Sequence, residues 1–362
     1  MSKKQKIFLS IVITLIIGEI ASLLAYKSPP IRENLYNPYT GWLPRPYAAG
    51  WNPESQEFVK KSNLGWHDKN LNSRFTSDCT INFFGDSMLE GFQFDSKNTF
   101  SAILERNLTK TARCPAFRVN NFGLSGTGTF QQARIMEIYG QEFPSKTTGV
   151  FLFLGNDLAN NIYSSNIPYK PGFRVLENRI VIEEANYETS FGKVKYFISR
   201  LSDYSNLVRM FYALLEQNIF SKRSGLVQNH ESKSLTDMGI MVIQEKFENQ
   251  MIAMEKSLKN LSSVATNQKT DLTIFFIPTG EEVAKGDNRF VIEIKERLFN
   301  FCNNIDLKCI DLLPDLIKLN STYSESSLHI NGIGHLSLKG HLAVASALLK
   351  HFMPINSSTE TN

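Results

Sequence analysis

The 362-residue sequence predicts an α/β fold, a three-layer α/β/α sandwich around a central, mostly parallel five-stranded sheet. Two observations carry that expectation. Five short runs rich in Phe, Ile, Leu or Val recur after residue 79, at 80–84, 117–122, 149–154, 272–277 and 309–313. Runs of this length and composition suit strands buried on both faces. Helical stretches alternate with the first three, at 99–108 with Asn98 as its cap and at 130–140. Strand–helix alternation places helices on both faces of a parallel sheet. The chain is long enough for a sizeable core. Its formal net charge of +4 is small, and no basic stripe is interleaved with stacking aromatics. Nucleic acid is therefore not an expected partner.

Taken in order, the first element is a membrane anchor at 1–26. Lys3, Lys4 and Lys6 precede an apolar run whose one charge is Glu19. The run has about 20 residues, the length of a bilayer-spanning helix. A carboxyl inside it is costly unless protonated or paired. Leu23-Leu24-Ala25 is a poor cleavage site, which favours an uncleaved anchor over a removed signal peptide. The lysines favour an N-terminus inside and a body outside. Residues 27–78, rich in Pro, Gly, Asn and aromatics, read as a linker that becomes an arm packed on the body.

The main domain runs from 79 to 353, interrupted at about 160–268. That insertion is expected to hold a hairpin at 173–176 and 179–182, turning at Glu177-Asn178. A long helix from 193 to about 218, a polar linker at 221–234 and a second long helix from about 238 to 261 follow. Residues 354–362 are a polar tail. There are four cysteines, and the preferred pairs are Cys79–Cys114 and Cys302–Cys309, with free thiols as the alternative. No Cys-x-x-Cys pair or Walker-type glycine loop points to a metal, a redox centre or a nucleotide, so neither metal nor cofactor is expected.

In an open parallel sheet, reactive groups gather at the carboxyl ends of the strands. The first strand ends in Gly85-Asp86-Ser87, the second in Asn121-Phe122-Gly123-Leu124-Ser125-Gly126, and the third in Gly155-Asn156-Asp157. Near the C-terminus, Gly334-His335-Leu336-Ser337 stands just ahead of a helical stretch. These four blocks, in this order, resemble the SGNH/GDSL hydrolase family over about residues 62–353. The run Asn63-Leu64-Gly65-Trp66-His67-Asp68 also looks like the lead-in of its anchored bacterial members. The resemblance implies an SGNH-hydrolase-like sandwich with Ser87 as nucleophile and a histidine as its base. The backbone N–H groups of Ser87 and Gly126 and the side-chain amide of Asn156 are the implied oxyanion donors. The chemistry fits those residue types. A serine hydroxyl needs a base to take its proton, and the oxyanion formed by its attack needs preplaced donors.

Each residue also has a structural role open to it. Ser87 can cap a helix, Asn156 can close a turn, and Gly123 competes with Gly126. Asp86 and Asp157 are expected to brace their loops. His329 and His335 both precede a glycine by five residues. His335 is preferred because Gly340 leads into an Ala/Leu-rich helix, on which His341 is read as structural. The family's aspartate, two or three residues before the histidine, is missing. Those places hold Gly332 and Ile333. The expected arrangement is a Ser–His dyad, with a backbone carbonyl, Asn331 or the more distant Glu325 orienting the ring. The function implied is hydrolysis of an acyl ester on a cell-envelope glycan or lipid. The alternatives are acyl transfer to an exported polysaccharide and a non-catalytic binding protein that keeps the fold.

Overall fold

A computed structural model describes residues 2–25, 34–52, 54–68, 71, 79–111, 117–164, 170–176, 179–186, 247–322, 327–332 and 334–352. It also describes single positions and short strands between 193 and 243. Helix α1 (Lys3–Ala25) is long and apolar enough to cross a membrane. Its apolar side chains are exposed, Ile7, Phe8 and Ile17 among them, so it is not a helix of the core. Its single carboxylate has partners: Glu19 Oε2 accepts from Ser205 Oγ at 2.7 Å and from the Leu207 backbone N–H at 3.2 Å.

The arm, aperiodic in sequence, forms two hairpins. Strand β1 (Asn34–Asn37) pairs antiparallel with β2 (Gly41–Pro44), and β3 (Ala49–Trp51) with β4 (Phe58–Lys60). Ion pairs and hydrogen bonds fix it to the body, so its shape is set by docking and not by a repeating pattern. Arg118 Nη2 meets Asp68 at 3.1 Å, His67 Nε2 lies 2.8 Å from the Phe94 carbonyl, and Gln131 Nε2 donates to the Thr40 carbonyl.

Five strands form the central sheet. They are β5 (Thr80–Gly85), β6 (Arg118–Gly123) and β7 (Thr147–Phe153), then two late strands, Asp271–Ile277 and Lys308–Asp311. Every pair is parallel, and the spatial order is Lys308–Asp311, Asp271–Ile277, β7, β5, β6. Chain order thus reverses between β5 and β7. In such sheets the crevice at the carboxyl ends of the two strands flanking the reversal is where ligands bind.

Alternation along the strands divides the core between two faces. Ile81, Phe83, Val119, Phe151 and Phe275 point to one side. They pack with α3 (Phe100–Thr111) and the C-terminal helix Leu338–Phe352. Phe84, Phe122, Val150, Leu152 and Phe276 point to the other, against α4 (Thr129–Glu142) and the helices Phe247–Gln268 and Arg289–Asn304. Phe151 is central to the first face. Its ring lies 4.8 Å from Phe83, 4.9 Å from Phe100 and 5.3 Å from Phe275, centroid to centroid.

Several boundaries differ from expectation for local reasons. Helix α3 is capped by Thr99 and not Asn98: Thr99 Oγ1 accepts from the Ala102 N–H, and residues 96–98 form a 3-10 turn. The helix expected at 238–261 begins at Phe247 and ends at Gln268. Met241–Ile243 instead pair antiparallel with Lys233–Leu235. This helix is also not an accessory of the insertion. Met251, Met254, Leu258 and Leu261 are buried against Ala133 and Met136 of α4, so it is a layer of the sandwich.

Gly172–Leu176 and Arg179–Glu183 pair as an antiparallel hairpin, while its turn at 177–178 lies outside the described residues. Most of 193–218 and 221–234 and the tail from 353 also lie outside them. Cys302 and Cys309 form a disulfide. Cys79 is disulfide-bonded too, and Cys114 lies outside the described residues.

Truncating the central ring removes buried area and leaves a cavity between two layers. Phe151→Ala is expected to destabilise the fold by about 3–5 kcal/mol, read as a lower denaturation midpoint.

Candidate active site

Strand β5 delivers Asp86 and Ser87 to the crevice. Asp86 caps the short helix α2 (Ser87–Glu90), its Oδ1 accepting from the Met88 N–H at 2.9 Å. Ser87 is therefore the first helical residue, and a first-turn N–H has no partner within its own helix. Gly91, in the left-handed region at φ 62°, ends the helix. Helix α2 lies directly on β6. A side chain at Gly123 would collide with the Glu90 backbone, so Gly123 is a packing residue. Asn121 fastens the same contact, donating to the Leu89 carbonyl and Ser101 Oγ and accepting from the Gly123 N–H.

Beyond β6, residues 124–127 form a turn closed by Thr127 N–H to the Leu124 carbonyl at 3.3 Å. Gly126 occupies its third position at φ 76°, a conformation that favours glycine. Two partners hold the turn. The Trp42 indole N–H of the arm donates to the Ser125 carbonyl at 3.2 Å. Glu90 Oε2 accepts from the Ser125 N–H at 2.8 Å and from Ser125 Oγ. The other Glu90 oxygen pairs with Lys61 Nζ at 2.6 Å, and both side chains are wholly buried. Burial by itself would raise the Glu90 carboxyl, but Lys61 and the hydrogen bonds outweigh it and hold the group below its ordinary range. Sequence reading missed Lys61, Glu90 and Trp42. The only local signal was a charged residue, Glu90, three positions past the serine in an otherwise apolar run.

Asn156 follows β7 across the crevice. Its amide Nδ2 donates to Asp86 Oδ2 at 3.1 Å, which ties the β7 loop to the Ser87 loop. One Nδ2 hydrogen is used this way, and an amide carries two. Asp157 braces its own loop by accepting from the Phe153 N–H at 2.9 Å. Burial raises the carboxyl of Asp86, and it raises Asp157 further because the Asp86 charge adds to it.

His329, His335 and His341 are placed differently. His329 is buried and pushed down to about 4 by desolvation. His341 is buried and pushed down to about 3, also by desolvation. Its Nδ1 accepts from the Phe100 N–H at the start of α3, a structural role. His335 is about one-third exposed. Its Nδ1 lies 2.7 Å from Glu54 Oε2, and its backbone N–H donates to Glu54 Oε1 at 3.3 Å. Glu54 stands in the turn between β3 and β4 and was not among the partners expected for this ring. Asn331 sits in a 3-10 turn at φ 53°, and Glu325 lies outside the described residues.

Ser87, Gly126 and Asn156 thus occupy the ends of β5, β6 and β7, and His335 the loop before the last helix. Among the described residues, no group of three or more His, Cys, Asp or Glu is placed to hold a metal ion. The parallel sheet, flanked by helices, thus carries these blocks at its strand ends.

No family model and no curated protein matches the sequence. Among solved structures the chain is similar to a member of the lipolytic G-D-S-L family from Veillonella parvula. The identity is 13% and the TM-score 0.39, over 75% of this chain and 97% of that one. It is similar to a catalytic mutant of Axe2, an acetylxylan esterase from Geobacillus stearothermophilus, at 11% identity and a TM-score of 0.41, over 79% of this chain and 100% of that one. It is also similar to the acetyl xylan esterase AlAXEase, at 10% identity and a TM-score of 0.42, over 76% of this chain and 100% of that one.

Removing one member of a buried ion pair strands the other charge. Lys61→Met is expected to cost about 3–5 kcal/mol, and the double variant Lys61→Met/Glu90→Gln less, read as unfolding midpoints. The buried histidines set an acid limit. Each is neutral when folded but takes a proton below about pH 6.5 when unfolded. Their stabilisation is complete above that pH and falls as the pH drops toward 4 for His329 and 3 for His341. His341→Asn keeps an acceptor for the Phe100 N–H and removes the titration. Its stability is expected to fall less steeply between pH 6.5 and 4, by up to about 1.4 kcal/mol per pH unit. Denaturation midpoints across that range measure it.

Proposed function

We propose that this SGNH/GDSL-hydrolase-like chain is a serine-dependent ester hydrolase acting on an acyl group, O-acetyl or another short chain, of a cell-envelope glycan or lipid. The observation that carries the reading is the placement of Ser87. It is the first residue of a helix, in the crevice where the sheet reverses its strand order, and a partly exposed histidine is held by Glu54, whose turn is bonded to the loop after that helix. In this mechanism Ser87 Oγ attacks the ester carbonyl as His335 takes its proton. The oxyanion is met by the Ser87 and Gly126 N–H groups and by the free hydrogen of the Asn156 amide. Each such donor is worth about 3–4 kcal/mol to a transition state of this kind. His335 then protonates the leaving alcohol, and water releases the acyl group in a second cycle of the same steps.

Location supports the substrate class. An anchor formed by α1, with lysines on its N-terminal flank, holds the chain in the inner membrane and sets the catalytic body on the periplasmic side. Acylated glycans and lipids of the envelope lie within reach there.

Ser87→Ala is expected to abolish hydrolysis of short-chain p-nitrophenyl esters and labelling by a fluorophosphonate probe. His335→Ala is expected to lower kcat by about 10³-fold or more, with far smaller losses for His329→Ala and His341→Ala in the folded fraction. Equal rates for wild type and Ser87→Ala would sink the hydrolase reading and favour a binding protein. Product analysis with an acyl donor and a glycan acceptor separates hydrolysis from transfer.

A further inference from the structure

We propose that Glu54, carried by the N-terminal arm, is the carboxylate that orients His335, so the catalytic group is a triad whose acid comes from outside the sheet. The inference rests on the hydrolase reading and names a positioning residue within it. Glu54 and His335 are 281 residues apart in sequence, yet both carboxylate oxygens address the histidine. One reaches the ring Nδ1 at 2.7 Å and the other the backbone N–H at 3.3 Å. A single side chain therefore fixes both the ring and the main chain that carries it. Gly334 leaves room for this approach, because a Cβ there would come within 2.7 Å of Glu54 Oε1.

The turn that presents Glu54 is independently held. Asn52 Oδ1 accepts from the N–H groups of Glu54 and Ser55, at 2.9 and 3.2 Å. Asn52 Nδ2 donates to the Phe92 carbonyl at 3.1 Å, and Ser55 Oγ donates to the Gln93 carbonyl. Phe92 and Gln93 directly follow the nucleophile helix and Gly91. The turn carrying the acid is thus pinned to the loop that follows the nucleophile helix. The Glu54–His335 pair is itself partly exposed on both sides. A surface contact so placed adds little to folding, which leaves orientation as its main effect.

The steps follow. A hydrogen bond from Nδ1–H to Glu54 keeps the ring in the tautomer with a free Nε2 lone pair. As the Oγ–carbon bond forms, the Ser87 proton moves to Nε2, and Glu54, still ionised, faces the imidazolium. That proton then goes to the leaving oxygen as the carbon–oxygen bond breaks.

The test uses the full chain in nanodiscs. Glu54→Gln keeps the size of the side chain but can present its amide to Nδ1 and hold the wrong tautomer. It is expected to lower kcat for p-nitrophenyl acetate by about 10²–10⁴-fold, with KM and the melting temperature nearly unchanged. Glu54→Asp is expected to retain more turnover than Glu54→Gln. In NMR spectra the low-field Nδ1–H proton of His335 is expected in wild type and lost in Glu54→Gln. A Glu54→Gln variant with wild-type kcat and an unchanged ring signal overturns the proposal. If Glu54→Gln also loses stability, equal turnover in folded Glu54→Asp and Glu54→Gln overturns it instead. If the wild type hydrolyses nothing and the probe leaves Ser87 unlabelled, the hydrolase reading is what fails. The ring signal then decides the contact alone, its loss in Glu54→Gln supporting the pairing and its persistence overturning it.

Discussion

The buried carboxylate of Glu90 joins three separate parts of the chain. One oxygen meets Lys61 of the arm, and the other takes the N–H and hydroxyl of Ser125 in the turn that presents Gly126. Its own backbone belongs to the helix that begins at Ser87. A wholly buried charge is tolerated only when it is paired and hydrogen-bonded. All of these contacts must therefore form together. The requirement locks the arm, the helix that begins at Ser87 and the turn that presents Gly126 into one arrangement. A neutral residue at 90 could fill the same volume without imposing that geometry.

Around this lock the arm behaves as part of the body. Trp42 holds the Ser125 carbonyl, Asp68 engages Arg118 and the Asn121 N–H at the sheet edge, and Asn52 and Ser55 pin the Phe92–Gln93 loop. Apart from the Arg118 pair at the start of β6, these contacts fall in the later half of β6 or on the turn, helix and loop that follow β5 and β6. Parallel strands leave polar loops at that end, and their backbone groups need partners when a second layer covers them. The arm supplies such partners. Glu54 reaches His335 because its turn is held there by those same bonds.

The insertion shows the reverse case, a segment that looks separate in sequence but belongs partly to the sandwich. Helix Phe247–Gln268 buries a methionine and leucine stripe against α4 and leads straight into the strand Asp271–Ile277. Farther upstream, Ser205 and Leu207 satisfy Glu19 on α1. The one charge of the apolar run is thus matched from a part of the chain nearly two hundred residues away, as the cost of an isolated carboxylate in such a run demands.

The strands were legible because burial on both faces leaves a compositional trace, and 80–84 and 272–277 differ from the observed strands by a residue. The order of the motif blocks was legible for the same reason, since each must follow its own strand. Helix ends were less so. Thr99 and Asn98 are both competent caps, and the choice fell to packing at the start of α3. The partner of His335 was beyond the sequence altogether. No spacing relates position 54 to 335, and an acidic residue in a polar turn is unremarked by any local rule. Sequence composition and period fixed which elements form and where their reactive ends lie. Which distant carboxylate meets the histidine, and which buried lysine makes Glu90 affordable, were decided only when the arm docked. Electrostatic pairing acts through space, while local sequence rules act along the chain.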